Sequence, residues 1–100
     1  MEVVPNMLVL ITYDINTGTA FGQKRLRSVA KACEDYGHRV QNSVFECELD
    51  MSLFLKVKDR LVRLIDQNED SIRFYQLGDF RKVDHFGVKP SIDFLDSLLV

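Results

Sequence analysis

The sequence has no tryptophan, only two prolines and two cysteines, and no apolar run longer than the five residues Met7 to Ile11. That run is far short of the about 20 residues that a membrane-spanning helix needs. Glu2 and the missing small-residue cleavage pattern argue against a signal peptide. Cys33 and Cys47 form no CxxC pair and have no histidine pair near them, which excludes a zinc site of the usual spacing. Both read as reduced core thiols of a cytoplasmic protein. There is no repeat and no low-complexity segment. A Walker loop, a GxGxxG turn and a zinc-protease helix are all absent, and Ser43 has no nearby histidine base for a hydrolase triad. Nor is there an excess of basic charge: the formal net charge is −2, which speaks against a uniformly basic nucleic-acid binder.

What is present fits one domain. At 100 residues the chain holds one core, and 46% apolar residues are enough to fill it. Charged residues make up 28% and are mixed in sign, which argues against disorder. A chain of this length folds to a radius of about 13 Å, too small to enclose a large cofactor cleft alone. An elaborate site must therefore be shallow or shared with a second chain. The domain spans 1–100, with a core over 7–86 and a tail over 87–100. Met1 to Asn6 reads as a short extension, with Met7 as an alternative start.

The run from Met7 to Asp14 predicts a central strand. Asn16 to Thr19 is a loop by composition. Leu26, Val29, Ala30 and Cys33 line one face of a helix over about 23–36, with Gly37 as its left-handed stop. Phe45, Cys47 and Leu49 alternate with Glu46 and Glu48 as in a half-buried strand. Val40 and Val44 break that parity, which predicts a bend, bulge or tight turn near Asn42-Ser43 and either one kinked strand or two short ones. Asp50 is the N-cap of a second helix over about 52–65. A strand over 71–77, a turn at Gly78-Asp79 and a short charged strand over Arg81–Phe86 complete the chain. The order predicts an α+β, ferredoxin-like βαββαβ sandwich: an antiparallel sheet with two helices on one face. The other face reads as apolar too, so it calls for a homodimer packed sheet to sheet.

Asp14 is the chemically suggestive residue, since it closes the central strand after Tyr13 and precedes a glycine-containing loop. A lone carboxylate suits Mg²⁺, which binds one or two carboxylates plus phosphate oxygens and water. In a two-fold dimer, paired Asp14 carboxylates are placed to share one Mg²⁺ or bracket a phosphate. The bland alternative is an Asx-turn at the loop. Lys24, Arg25, Arg27 and Lys31 form a cationic cluster, joined by Arg39. From Thr19 to Gln41 five cations face two acids, a local net of +3, which suits phosphate or equally a solvated helix face. From Glu46 to Asp70 seven acids face four bases. His38 and His85 are weak signals. Phe74 and Tyr75 lack the context of an RNA-stacking platform and read as core aromatics. Leu98 to Val100 suits either docking on a partner edge or closing the chain's own sheet.

Several segments together resemble one family: Leu8-Val-Leu-Ile-Thr-Tyr-Asp-Ile15, Lys24-Arg-Leu-Arg-Ser-Val-Ala-Lys31 leading to Asp35-Tyr-Gly37, Arg39 to Leu49, Arg73-Phe-Tyr75, and Gly87-Val-Lys-Pro-Ser91. The chain is similar to the second CRISPR-associated protein, the small dimeric partner of the CRISPR integrase. The resemblance implies a ferredoxin-like homodimer whose last strand, here Arg81 to Phe86, crosses to the partner's sheet. It implies a role in adaptation, the capture and integration of new spacers, in which the dimer bridges integrase dimers and binds the backbone of double-stranded DNA. It further implies a Mg²⁺-dependent endonuclease acting on RNA or double-stranded DNA. The family's metal-binding aspartate falls on Asp14. Its basic residues fall near Arg25 and Arg27 and on Arg39, and Ser43 and Phe45 match the adjoining stretch. Two readings follow, a metal-dependent phosphodiesterase and a purely structural scaffold; a small ligand-binding domain is the third.

Overall fold

The computed structural model describes residues 6–79 and 83–87. The elements follow in the order β1 (Met7–Asp14), α1 (Ala20–Glu34), β2 (Gly37–Gln41), β3 (Val44–Leu49), α2 (Met51–Leu64) and β4 (Ser71–Asp79). The four strands form one sheet in the order β2-β3-β1-β4, with every neighbouring pair antiparallel. This is the ferredoxin-like sandwich expected from the sequence.

Side-chain parity decides what each sheet face does. Val9, Ile11 and Tyr13 of β1 are buried, as are Phe45, Cys47 and Leu49 of β3. They meet Val29, Ala32 and Cys33 of α1 and Phe54, Val57 and Leu61 of α2. Burying a side chain the size of Phe45 contributes about 1.5–3 kcal/mol. The alternate residues Leu8, Leu10 and Thr12 of β1 and Val44 of β3 lie on the opposite face and are only half-buried. Tyr75 and Leu77 of β4 are exposed beside them. Among the described residues, one face of the sheet is covered by helices and the other has no cover.

Both helices start on side-chain caps. Thr19 accepts a hydrogen bond from the Gly22 amide (3.1 Å), and Asp50 accepts one from the Leu53 amide (2.8 Å). The Thr19 cap starts α1 at Ala20, earlier than the apolar spacing alone indicated. Asn42 and Ser43 form a two-residue turn between β2 and β3, which settles the broken parity as two strands.

Three expectations are corrected. Gly37 is not a left-handed helix stop; it opens β2, and among the described residues only Gly78 and Gly87 have positive φ. Gly37 is needed because a Cβ there would stand 2.4 Å from the Glu46 carbonyl oxygen and 2.5 Å from the Cys47 sulfur. Gly78-Asp79 does not turn the chain: β4 runs through to Asp79. The register shift between Met7 and Val9 is absorbed near Gly78, whose φ of +86° suits a bulge. The strand expected over Arg81–Phe86 is not formed where it is described: residues 83–86 are irregular, and 80–82 lie outside the described residues, as do 88–100. Residues 83–86 lie beyond Asp79, the last paired residue of β4, and meet no neighbouring strand among the described residues.

A polar lock ties β1's exit to the rest of the fold. The Asp70 side chain has no solvent exposure and accepts two bonds from Arg25, from Nε (2.7 Å) and Nη2 (3.2 Å). It also accepts from the backbone amides of Asn16 and Asp66, each at 2.9 Å. The Arg25 hydrogen bond comes first among the causes holding the Asp70 carboxyl down at about 2, and the two backbone amides assist. The ordinary value is 3.8, so the folded state binds this proton less readily than the unfolded chain. The lock's stability is therefore complete above about pH 4 and is lost as pH falls toward 2. Asp70→Asn is expected to flatten the acid limb of a stability-against-pH curve, measured by urea denaturation, across that window. An unchanged acid limb would show that other carboxylates govern it.

Candidate functional site

Asp14 ends β1, where its backbone pairs with Ser71 of β4. On the other side, Tyr13 donates its amide to the Ser43 carbonyl (3.1 Å), so β1's last residues are held from both flanks. Parity places Asp14 on the open face, and its side chain is exposed. Among the described residues it makes no side-chain hydrogen bond and no ion pair. The Asx-turn alternative falls to a neighbour: Asn16, not Asp14, accepts from the Gly18 amide (2.9 Å). Asp14 is left free for an external ligand.

Tyr13, Phe45, Arg39 and Ser43 gather at the same end of the sheet. The Tyr13 and Phe45 rings stack with centroids 6.2 Å apart. Arg39 is the cross-strand neighbour of Phe45, and its guanidinium lies 4.8 Å from the ring centroid. It also donates to the Asn42 carbonyl (2.5 Å) and to Glu34 (3.1 Å). These contacts hold a partly exposed guanidinium in one orientation while leaving N–H groups for an anion. The Tyr13 hydroxyl donates to the same Asn42 carbonyl (3.3 Å). Burial first pushes the Tyr13 phenol up to about 12, against the lowering influence of Arg39. Tyr13 therefore stays protonated near neutral pH. Ser43 takes part through its backbone carbonyl.

The basic residues of α1 divide into two groups. Lys24, Arg27 and Lys31 are exposed and make no ion pair among the described residues. At spacings of three and four they form one stripe on the helix. Arg25 stands apart from this stripe, because its guanidinium is committed to Asp70. The sequence grouped all four cations; the structure joins Arg25 to the Asp14 end through Asp70 and leaves three facing water. Asp70, Asn16 and Glu69 were not singled out from the sequence. Asp70 is 45 positions from Arg25, and nothing local in a polar loop signals such a partner.

No group of three or more His, Cys, Asp or Glu side chains close enough to hold a metal occurs among the described residues. Asp14 by itself fits Mg²⁺ only when phosphate oxygens, water or a second carboxylate complete the donor set. Cys33 and Cys47 lie in the core, where burial pushes the thiols up to about 12 and about 11, and neither is a ligand candidate. His38 and His85 are exposed. Phe74 packs edge-on against Phe54 in the core, as expected for a structural aromatic, whereas Tyr75 lies on the open face.

Comparison with known proteins places this architecture. Residues 7–83 match the profile of the family described as CRISPR associated protein Cas2. The CRISPR-associated endonuclease Cas2 of Halalkalibacterium halodurans is 56% identical over 95 residues, covering 93% of this chain and 99% of that protein. The CRISPR-associated endoribonuclease Cas2 3 of Rhodospirillum rubrum is 50% identical, covering 93% and 100%. The crystal structure of Streptococcus pyogenes Cas2 at pH 6.5 superposes with a TM-score of 0.69 and 57% identity, covering 81% of this chain and all of that one. With a profile match over most of its length, and an aspartate closing the central strand of the same fold, the chain belongs to the Cas2 family of CRISPR-associated proteins.

Proposed function

We propose that two copies of the chain pack their open sheet faces together and cleave phosphodiester bonds at a Mg²⁺ site shared by the two Asp14 carboxylates. The observation that carries this reading is the free, exposed Asp14 at the end of the central strand on the uncovered face. The named activities of the relatives, endonuclease and endoribonuclease, support the chemistry. RNA and double-stranded DNA are the two substrate classes. Leu8, Leu10, Tyr75 and Leu77 supply apolar surface for the dimer contact. When bound, Mg²⁺ would polarise the phosphodiester and acidify a water. The chain's own residues hold and orient: Asp14 supplies the carboxylate and buried Tyr13 fixes the strand end, while Arg39, on the helix side of the sheet with Phe45, is a phosphate contact apart from the metal. The biological setting is the cytoplasm, where the dimer works with the CRISPR integrase in the capture and integration of new spacers.

A second reading, a scaffold that holds duplex DNA for the integrase without cutting it, is favoured by the unpaired stripe of Lys24, Arg27 and Lys31. The stripe is a ready phosphate contact that needs no metal. The two readings separate in one set of measurements. Asp14→Ala is expected to lower Mg²⁺-dependent cleavage of RNA or duplex DNA by about 100-fold or more, the scale of several kcal/mol of transition-state stabilisation. Cleavage at the wild-type rate in that variant would eliminate the site. Replacing Lys24, Arg27 and Lys31 together by alanine is expected to weaken duplex binding uniformly across sequences. The slope of log affinity against log salt should then fall by about 2–3, one counterion contribution for each lost phosphate contact. An unchanged slope, measured by fluorescence anisotropy, would remove the stripe from the interface.

A further inference from the structure

Asp14 projects from the end of a strand, and the two residues after it are unusually well secured. Ile15 is buried in the core. Asn16 spends its polar groups on the surroundings: its amide donates to Asp70 (2.9 Å), its side-chain nitrogen to Glu69 (2.8 Å), and its side-chain oxygen accepts from Gly18 (2.9 Å). Its backbone carbonyl lies so close to α1 that a Cβ on Gly22 would stand 1.8 Å from it. The first turn of α1 and the loop 66–70 thus close on Asn16, while β4 holds Asp14 two residues earlier through its pairing with Ser71.

The Asp70 carboxylate is the hub of this arrangement. Its exposure is zero, against 21% for the Arg25 side chain that faces it. A half-buried ion pair is a modest source of stability, because desolvation offsets much of the attraction. An apolar contact has no directional demand, whereas Asp70 aligns the Asn16 amide. Arg25 fills the remaining lone pairs with a two-pronged donor and so fixes the rotation of the carboxylate. The pair is suited to holding a backbone in place more than to strengthening the fold.

We propose that the Arg25–Asp70 ion pair is the positioning device for Asp14, holding the Asn16 amide two residues beyond the carboxylate and thereby fixing where Asp14 stands on the open face. This rests on the reading of Asp14 as the site's carboxylate. Arg25 then acts through Asp70 and is a positioning residue, not a phosphate contact. Gly22 belongs to the same device, since any side chain there would drive the Asn16 carbonyl, and β1's end with it, out of place.

The test uses the full-length protein in its wild-type form and as Asp70→Asn, Arg25→Gln and Arg25→Lys, with backbone amide exchange and nitrogen-edited NMR as readouts. Asp70→Asn and Arg25→Gln are expected to move the Asp14 and Asn16 amide resonances and to speed exchange at Asn16, while amides of β3 keep their protection. Titration with Mg²⁺ alone, followed at Asp14, should show an apparent affinity weakened about tenfold in both variants, as when a group that orients a metal ligand is lost. Arg25→Lys keeps the charge without the fork and should fall between wild type and Arg25→Gln. It also serves as the informative variant should Asp70→Asn fail to fold. Wild-type resonances, exchange and Mg²⁺ midpoint in Arg25→Gln and Arg25→Lys, alongside a lowered melting temperature, would overturn the proposal and leave a merely stabilising ion pair. A wild-type Asp14 signal that ignores Mg²⁺ would overturn the metal reading instead, and exchange at Asn16 would still decide the fate of the lock.

Discussion

The alternation of side chains along β1 is the constraint from which the rest of the molecule follows. Val9, Ile11 and Tyr13 face the helices, so Leu8, Leu10, Thr12 and Asp14 face the other way. A slip of one residue would bury Asp14 and expose Tyr13, and the apolar odd positions forbid it. The register with β3 and β4 on both flanks makes the choice permanent. A carboxylate is thus delivered to the uncovered face by the same packing that builds the core. The proposed site and the core share one strand but use opposite sides of it.

Much of this was legible because it is local. Period-two alternation marked β1 and β3, a 3.6-residue stripe marked both helices, and Asp50 announced a helix start by residue type alone. Where the sequence misled, the deciding contact was distant. Gly37 looked like a helix stop, but its lack of a side chain answers to the Glu46 carbonyl of the neighbouring strand. Gly78 looked like a turn, but its φ absorbs a register shift against the far end of β1. Arg25 looked like one more cation in a row. Its assignment to Asp70 depends on how loop 66–70 folds back to β1, which no short window of sequence encodes.

The charge distribution gains meaning in the same way. A net −2 conceals a basic segment over α1 and its flank and an acidic segment from β3 through loop 66–70. Part of that opposition is spent internally in the Arg25–Asp70 pair, while Arg39–Glu34 cancels charge within the basic segment. What faces water unpaired on α1 is a narrow line of three cations. A narrow line suits a phosphate backbone running along a helix better than it suits nonspecific attraction to polyanions, because contacts depend on spacing as well as on total charge.

The two core thiols have a practical meaning of their own. Thiol reagents attack the thiolate, and in the folded chain Cys33 and Cys47 are both buried and held protonated. The native protein is consequently expected to react slowly with maleimides and iodoacetamide at both sites. A single cysteine introduced on the surface will carry a spin label or fluorophore alone, without removal of the natural pair. Conversely, labelling of either natural thiol reports an opening of the core. The core thus doubles as a built-in chemical clock for opening of the fold.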